Sequence, residues 1–346
     1  MAFIYGREYS RQELMKCIGD VSQIAGARSC TLESGRAKGV GAVDIKTGGG
    51  LSFTVLTDRG LDIAWADYKG MAISYVSKTG VVSPAYFEPS GNDFLRGFFA
   101  GLLTTCGLTY MGAACEDQGV NLGLHGRISN IPAEDVCVSN EWQGDDFVMK
   151  VRGKVRESTV FGENMVLTRE IESRMGENRL FIHDCVENCG YDRQPFMLLY
   201  HCNFGHPLLG KDTELILKET GVKARDAEAE KGLDICREFE MPTHGYSEQV
   251  FYHDLIPNED GTVMATLFNK SIGESGFGIY LRFNKKQLPY MTEWKQMGEG
   301  DYAVGLEPAT WYPEGRSRAR ERGELEFLEP GDIKSFDIEI GVIEKL

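Results

Sequence analysis

The chain has 346 residues, which is long enough to bury a sizeable hydrophobic core as one large domain or as two smaller ones. It contains 37 lysine and arginine residues against 52 aspartate and glutamate residues, so its formal net charge at pH 7 is -15. Nucleic-acid binding requires positive charge to neutralise phosphate groups, and this composition therefore argues against a nucleic-acid partner.

The N-terminal segment, MAFIYGREYSRQELMK, predicts both a location and a helix. Its charged residues come too early for the apolar stretch of a secretory signal, and no later stretch is apolar enough to cross a bilayer, so we expect a cytoplasmic protein without a membrane partner. Ser10 and Glu13 form the S-x-x-E pattern of a capping box ahead of Leu14, which predicts a short helix. We expect residues 1–30 to form an N-terminal extension that carries it.

The nine cysteines indicate reduced thiols rather than disulfides. Their number is odd and no two of them form a CxxC pair, whereas a disulfide framework normally uses an even number. Cys185 and Cys189 are four positions apart, but the chain has no second close pair. We therefore do not expect a structural zinc site.

Most of the remaining chain shows the alternation typical of strands. Apolar and basic residues alternate over residues 147–156, and a period of two recurs in residues 263–267, 279–283 and 336–342. Strands without long helical patterns between them predict a mainly β fold, an antiparallel two-sheet sandwich. Because no proline- or serine-rich linker divides the chain, we expect residues 31–346 to form a single sandwich domain.

Two charged segments are interpreted as solvated surface. The basic residues of the first predicted strand, among them Lys150 and Arg152, are expected to form its exposed face and not a binding patch. Residues 218–239 are rich in lysine, glutamate, aspartate and arginine, and they are predicted to form an exposed connection or a short helix.

The first candidate site residue is His201. Residues 195–200 are apolar and predict a buried strand, which we expect to end at His201, because Asn203 and Gly205 are polar or turn-forming. Burial lowers the pKa of a histidine and a nearby carboxylate raises it, so such a residue can be tuned for proton transfer. A core histidine bonded to a backbone carbonyl is the open alternative.

A second apolar strand is expected to end at Glu307, which follows Val304 and Leu306 and precedes Pro308. A carboxylate that is partly desolvated at such a position is a stronger base than one in water. The alternative is an exposed glutamate at the end of a strand, because charged residues are usually exposed.

His125 lies between Gly123 and Gly126 and is followed by Arg127. Glycines let a backbone approach a ligand closely, and an arginine offers a planar fork of donors to hydroxyl or carboxylate oxygens. The alternative is a turn in which the histidine only tolerates unusual dihedral angles.

The order of these motifs is more specific than any one of them. An HG motif, then a Y-H-x-N-F-G motif and then a late G-x-E-P motif resemble the aldose 1-epimerase (galactose mutarotase) superfamily, and segments similar to DRGLDI, FLRGFFAGLLTTCGL, LHGRISN, HCNFGHPLL and GLEPAT occur in the same order in one of its branches. The chain most closely resembles its bacterial, aldose-epimerase-like branch of undefined function, DUF4432. The resemblance implies a galactose-mutarotase-like antiparallel β-supersandwich with few short helices, and a sugar site in a concave cleft.

The resemblance also implies catalytic roles. In mutarotases the histidine of the strand motif acts as general acid on the ring oxygen, and the late glutamate acts as general base on the anomeric hydroxyl. Carried over by motif, these roles fall on His201 and Glu307. The histidine of the HG motif helps to hold the sugar, which implies that role for His125.

Further substrate-binding residues are implied by the same resemblance. An arginine upstream of the HG motif binds hydroxyls in the family, and Arg96 is the closest match, with Arg59 as a competing candidate. Asp58 and Asp62 could instead make Arg59 one half of a structural ion pair. The other predicted substrate contacts are Arg127, Asn203, Asp254 and Trp294.

We therefore predict a carbohydrate-active isomerase that interconverts anomers, or epimers, of an aldose. Its partner would be a monosaccharide or a derivative of one, and the chain could also form a homodimer. No metal or cofactor is needed, because both steps of the reaction are proton transfers. Two alternatives stay open. One is a metal-dependent sugar isomerase or epimerase using His125, His201, His206, His253 and Glu307, and the other is a non-catalytic carbohydrate-binding protein on the same scaffold.

Overall fold

The computed structural model describes residues 1–345, and strands make up most of its regular structure. The strands, in chain order, are β1 (Ala2–Ile4), β2 (Arg7–Tyr9), β3 (Gly26–Thr31), β4 (Gly41–Lys46), β5 (Leu51–Leu56), β6 (Asp62–Tyr68), β7 (Met71–Ala72), β8 (Tyr75–Val76), β9 (Ala100–Gly101), β10 (Thr104–Leu108), β11 (Cys115–Asp117), β12 (Val120–Leu122), β13 (Glu134–Gln143), β14 (Asp146–Ser158), β15 (Asn164–Arg174), β16 (Arg179–Asn188), β17 (Gln194–Gly205), β18 (Thr213–Leu217), β19 (Glu219–Ala224), β20 (Gln249–Leu255), β21 (Thr262–Asn269), β22 (Phe277–Asn284), β23 (Tyr290–Gly298), β24 (Asp301–Ala309), β25 (Glu326–Leu328) and β26 (Ile333–Ile343). The helices are α1 (Arg11–Met15), α2 (Ala227–Glu230) and α3 (Arg316–Glu321), with short 3-10 helices at Val21–Gln23, Gly35–Ala37, Pro84–Tyr86, Asp93–Arg96, Ile128–Asn130 and Leu233–Ile235. The prediction of a mainly β chain with few short helices is confirmed.

Three sheets carry the fold. The first has the strand order β3-β4-β5-β6-β7, and the second has the order β13-β14-β15-β16-β26-β22-β21-β18. The third has the order β10-β17-β24-β23-β20-β19, with β25 paired to β17. Neighbouring strands pair antiparallel, as in β17 with β24 and β16 with β26. The predicted antiparallel sandwich is therefore observed, with the strands at 147–156, 263–267, 279–283 and 336–342 in its large second sheet.

The alternation along β14 shows why these residues form strands. Met149, Val151 and Val155 are buried, whereas Arg152 and Arg156 point to the other face and are exposed. Burial of apolar surface contributes about 25 cal/mol per Å², so a segment with this period is stabilised with its apolar face toward the core. The basic row is a solvated face, as predicted.

The second and third sheets pack face to face through β16, β17 and β26. Phe196 stacks on Phe336 with ring centroids 5.8 Å apart. Farther along β17, the hydroxyl of Tyr200 donates to Asp184 over 2.6 Å, and Arg169 forms an ion pair with the same carboxylate at 2.7 Å. Since these even-numbered residues of β17 face the core, the odd-numbered residues between them face away from it.

The strands that carry the histidine and glutamate motifs are longer than predicted. β17 continues beyond His201 and β24 continues beyond Glu307, so the expectation that both residues end their strands is wrong. Cys202 pairs with Leu306 in the ladder, so the backbones of the two strands stay paired along both motifs. Polar side chains do not end a strand when its backbone stays paired and its outer face lines a cavity.

The interpretation of residues 218–239 as an exposed connection or a short helix is only partly right. The segment contains α2, but it begins with β19, which lies at the edge of the third sheet and pairs with β20. Edge strands commonly carry charged residues because one side of the strand faces solvent. The alternation of apolar residues that marks a half-buried strand is therefore missing from this segment.

The predicted N-terminal helix is confirmed as α1. The Ser10 side chain accepts from the backbone N–H of Glu13, and the Glu13 carboxylate accepts from the backbone N–H of Ser10, which completes the capping box. β3 crosses the predicted boundary between residues 1–30 and 31–346, and that division stays a prediction. All nine cysteines are free. In residues 1–345, no helix combines the length and the apolar character that crossing a bilayer requires.

Candidate active site

Adjacent strands bring His201 and Glu307 together. The register of β17 and β24 places the two residues on the same face of the third sheet, away from the core. Their side chains meet with Nε2 of His201 3.1 Å from Oε1 of Glu307. Only 4% of the surface of His201 and 2% of that of Glu307 is exposed, so the contact between them is almost completely shielded from water.

Gly305 makes room for this pair. It lies on the same face of β24 as Glu307, and the ladder pairs it with Asn203. A Cβ atom at position 305 would lie 2.9 Å from Cε1 of His201 and 3.0 Å from Oε1 of Glu307. Real Cβ atoms rarely approach other atoms this closely, so any side chain here would displace the imidazole or the carboxyl group.

His125 reaches the same place from the loop that follows β12. Its ring centroid is 5.7 Å from that of His201. The backbone N–H of His125 donates to the carbonyl of Gly112 over 2.8 Å, and its own carbonyl accepts from the N–H of Gly107 over 3.1 Å. With φ at +60°, His125 adopts the left-handed conformation that few side chains tolerate. Both the turn and the placement in a cavity are therefore observed.

The glycines beside His125 have a different role from the one expected. A Cβ atom at Gly123 would lie 2.2 Å from the carbonyl oxygen of Pro89, and one at Gly126 would lie 2.3 Å from the carbonyl oxygen of Gly107. The close approach is thus to other protein backbone and not to a ligand. These glycines allow neighbouring loops to pack tightly around the histidine.

The two histidines and Glu307 line a cavity of about 370 Å³, a volume in the range of about 300–1,000 Å³ that is usual for small-molecule sites. Its lining residues are Asn92, Leu95, Phe98, Ala113, Ala114, Leu124, His125, His201, Arg225, Glu248, Val250, Trp294, Glu307 and Pro313. A larger cavity of about 550 Å³ lies against β3 to β6 and includes Trp65, but it has no histidine in its lining. The smaller cavity is therefore the better candidate for an active site, because it is lined by two histidines and Glu307.

One wall of the smaller cavity is polar. The indole N–H of Trp294 donates to Oε2 of Glu248 over 2.8 Å, and Nη2 of Arg225 donates to Oε1 of the same carboxylate over 3.1 Å. The ring of Trp294 lies 5.5 Å from that of His201, measured between centroids. The wall thus offers an aromatic face, a carboxylate and a guanidinium beside the catalytic candidates.

Sequence reasoning missed Glu248 and Arg225. Arg225 follows β19 and lies in the segment that was interpreted as external, and Glu248 immediately precedes β20. No motif marks either residue. The only available signal is charge next to the start or end of a strand, which is common on any protein surface.

Burial shapes the electrostatics of the site. Burial raises the pKa of Glu307 to about 8, and the negative charge of Glu248 acts in the same direction, whereas Arg225 opposes it. Burial lowers the pKa of His201 well below its ordinary value, and the nearby His125 adds to this shift. Burial also lowers the pKa of His125 to about 4. Near pH 7 the pair of His201 and Glu307 therefore holds one proton, and the three groups carry no net charge.

Arg59 does not line the cavity. It is 1% exposed and donates hydrogen bonds to the backbone oxygens of Ser129 and Val82. Among the described residues Arg59 forms no ion pair with Asp58 or Asp62, the two aspartates considered for it; Asp62 pairs with Arg169 at 3.3 Å, and Asp58 accepts from the backbone N–H of Gly41. The guanidinium of Arg59 instead joins the loops that follow β5, β8 and β12.

Two other predicted arginines also lie outside the cavity lining. Arg96 is exposed, and its Nε donates to Asp93 over 3.1 Å, although its chain neighbours Asn92 and Leu95 do line the cavity. Arg127 is exposed as well and lies just before the 3-10 helix Ile128–Asn130.

The remaining predicted contacts are divided. Trp294 lines the cavity, as described above, whereas Asp254 is exposed and accepts from Lys285 over 2.7 Å and from Thr220 over 2.6 Å. Asn203 is completely buried beside His201, and its Nδ2 donates to the His201 carbonyl over 2.8 Å. It faces the side of the sheet that bears the cavity without reaching the cavity surface.

The five residues named for a metal site do not all converge, because only His125, His201 and Glu307 line the cavity. His206 is exposed beyond the end of β17, and His253 points to the opposite face of the third sheet from His201. There His253 is held between Glu219 and Glu293, at 2.6 and 3.0 Å. In the described part of the chain, no three side chains of histidine, cysteine, aspartate or glutamate are grouped to hold a metal ion.

The fold places the chain among galactose mutarotase-like β-supersandwich proteins. More specifically, the chain belongs to the family described as domain of unknown function DUF4432, whose profile matches residues 37–342. No curated protein matches the chain.

Solved structures support this placement. A provisionally named aldose 1-epimerase from Klebsiella pneumoniae subsp. pneumoniae MGH 78578 is 25% identical over 92% of this chain and 83% of its own, with a TM-score of 0.87. A galactose mutarotase-like protein from Clostridium acetobutylicum is 14% identical over 93% of this chain and 99% of its own, with a TM-score of 0.63. The galactose 1-epimerase from Lactobacillus acidophilus NCFM is 11% identical over 93% of this chain and 100% of its own, with a TM-score of 0.59. The last two similarities show the fold alone.

Proposed function

We propose that this protein is an aldose 1-epimerase-like isomerase that interconverts the anomers of an aldose by acid–base ring opening. The observation that carries the proposal is the contact of 3.1 Å between His201 and Glu307 in the wall of a cavity of suitable size. Two groups that can exchange one proton, one of them an imidazole, are the minimum equipment for general acid–base chemistry near neutral pH.

The chemistry follows from the single proton that the pair holds. When this proton lies on His201, the imidazolium can protonate the ring oxygen while the Glu307 carboxylate accepts the proton of the anomeric hydroxyl. The bond between C1 and the ring oxygen breaks, which gives the open-chain aldehyde. His201 is then a neutral imidazole and Glu307 carries the transferred proton, so rotation about C1–C2 and the reverse transfers close the ring on the other face and restore the pair.

The cavity walls supply candidate contacts for the sugar. The indole face of Trp294 can pack against the apolar side of a pyranose ring, and His125, with a free buried Nδ1, is directed at the same space. Glu248 and Arg225 offer acceptors and donors to hydroxyl groups. In this proposal Glu248 takes the place that the sequence suggested for Asp254, because Asp254 lies outside the cavity.

The proposal is tested with His201→Asn and Glu307→Gln. Each should slow anomer interconversion by about 10²–10⁴-fold, because each removes one partner of the proton transfer. The measurement is NMR exchange between anomers over a panel of neutral aldoses, with circular dichroism to verify the fold. Asp254→Asn is the matched control and should leave the rate unchanged. Equal rates in wild type and both site variants would refute the assigned roles, and tight binding without exchange would favour a carbohydrate-binding protein.

A further inference from the structure

Asn203 and His201 lie on the same face of β17, two residues apart. Asn203 is 0% exposed and does not line the cavity, although the sequence suggested it as a substrate contact. A fully buried amide has to find its hydrogen-bond partners inside the protein, since an unpaired buried polar atom costs free energy. The partners of Asn203 therefore define what it does.

The amide of Asn203 is oriented by the backbone. Its Nδ2 donates to the carbonyl oxygen of His201 over 2.8 Å, and a carbonyl oxygen can only accept, so the amide nitrogen must face it. Oδ1 is thereby left as an acceptor, and no donor in the described residues satisfies it. Nδ1 of the His201 imidazole is likewise buried and lacks a partner among the described residues.

The strand pairing places Asn203 on the rung next to the unpaired nitrogen of His201. Asn203 is paired with Gly305, and a Cβ atom at Gly305 would lie 3.2 Å from Nδ1 of His201. Nδ1 thus faces the rung that holds Asn203, while Nε2 faces Glu307.

We propose that Asn203 is a positioning residue whose Oδ1 accepts a hydrogen bond from Nδ1–H of His201. This bond selects the tautomer in which Nε2 carries the lone pair and faces Glu307, and it stabilises the imidazolium when Nε2 receives the proton. Fixing one ring nitrogen of a histidine determines the state of the other. The inference builds on the proposed acid–base role of His201, and it concerns a residue that does not touch the substrate.

The rings that pack around His201 make no hydrogen bond to its Nδ1. The aromatic rings of Phe98 and Trp294 pack at 5.1 and 5.5 Å between centroids, and His125 lies at 5.7 Å. Glu307 meets the opposite ring nitrogen, Nε2.

More distant charged and titratable groups leave the assignment unchanged. Glu248 and Arg225 pair with each other at the cavity wall. Burial raises the pKa of the Cys106 and Cys202 thiols, so both stay neutral. The Asn203 side chain works against the effect of burial on the imidazole and raises the pKa of His201, as an acceptor at Nδ1–H should.

The first test is ¹⁵N NMR of protein labelled at the histidine imidazoles, with His201→Asn used to assign the His201 signals. Wild type should show His201 with the proton on Nδ1. Asn203→Leu removes the acceptor at similar volume and should shift the population toward the Nε2–H tautomer. Asn203→Asp keeps an acceptor and should retain the Nδ1–H tautomer while raising the pKa of the imidazole.

The matched control is Asn188→Leu, because Asn188 is also completely buried and its Nδ2 donates to the Leu328 carbonyl over 2.9 Å, but it lies in β16. This control should leave the His201 signals in place. A wild-type His201 that carries its proton on Nε2 would overturn the inference, even if Asn203→Leu does not fold.

Kinetics then separates the inference from the proposed function. If the protein is an epimerase, Asn203→Leu should lower kcat by about tenfold or more with little change in KM, and Asn203→Asp should restore part of it. Active wild type with an unchanged tautomer in Asn203→Leu would refute only the role of Asn203. Inactive wild type with the predicted tautomer shift would refute only the epimerase proposal.

Discussion

At the scale of single residues, the site depends on one shared proton and on the small space that holds it. The sequence patterns pointed to His201, Glu307 and His125, because an ionisable group in an apolar or glycine-rich segment is visible in the sequence. They could not distinguish a cavity arginine from a buried one. Arg59 shows why, because its guanidinium donates hydrogen bonds to backbone oxygens of loops that are distant in sequence.

The first residue-scale prediction concerns pH. Because burial raises the pKa of Glu307 to about 8, the pair loses its only proton as the pH rises through that value, and with it the group that protonates the ring oxygen. The epimerase rate should therefore be nearly constant around neutral pH and fall about tenfold per pH unit above pH 8. Glu248→Gln should move this alkaline limb to lower pH, because the charge of Glu248 helps to raise the pKa of Glu307. A rate that increases above pH 8 would contradict the shared-proton mechanism.

The second residue-scale prediction concerns Gly305. Gly305→Ala places a methyl group within 3.0 Å of both members of the pair, so it should lower the rate by about tenfold or more through misalignment of the proton transfer. Gly221→Ala in β19 is the matched control, since a Cβ atom there meets no atom within 4 Å. The comparison uses kcat together with the thermal midpoint of unfolding. Wild-type activity in a stably folded Gly305→Ala protein would show that the pair is not needed in its observed geometry.

At the scale of elements, the pairing of β17 with β24 creates the site and the pairing of β20 with β23 creates a buried charge cluster on the other face. Strand periodicity predicted β14, β21, β22 and β26, because each has one apolar and one polar face. It failed at β19, a charged edge strand, and at the ends of β17 and β24. Strand ends depend on partners from distant parts of the chain, which a local pattern does not contain.

The element-scale prediction concerns the cluster around His253. Burial alone would lower the pKa of His253, but its hydrogen bonds to Glu219 and Glu293 outweigh burial and raise the pKa from 6.5 to about 9. The folded state thus binds this proton more tightly than the unfolded state. Its stabilisation, about 3 kcal/mol, is complete below pH 6.5 and is lost as the pH rises through 9.

Urea unfolding between pH 6 and pH 10 measures this effect. Wild type should lose more free energy of unfolding over that interval than His253→Gln, in which the titrating group is absent. The comparison of slopes also removes contributions from other groups, such as Glu307. Parallel pH dependences in the two proteins would show that the imidazole of His253 is not held as a cation.

At the scale of the whole molecule, three antiparallel sheets place a polar cavity beside a closed apolar core. The composition and periodicity predicted the mainly β class, and the ordered motifs predicted the family, which the match over residues 37–342 shows. The order of the strands and the residues that complete the cavity could not be predicted. Glu248 and Arg225 lie next to strand ends in the third sheet and meet Trp294 only when β19, β20 and β23 are side by side.

The most direct test of the account is a crystal structure of Glu307→Gln soaked with neutral aldoses, since this variant should bind sugar without turning it over. We expect sugar density in the cavity of about 370 Å³, with C1 between His201 and residue 307 and the ring oxygen within hydrogen-bonding distance of Nε2. Sugar bound only in the larger cavity beside Trp65, or with its anomeric carbon turned away from His201, would contradict the central claim.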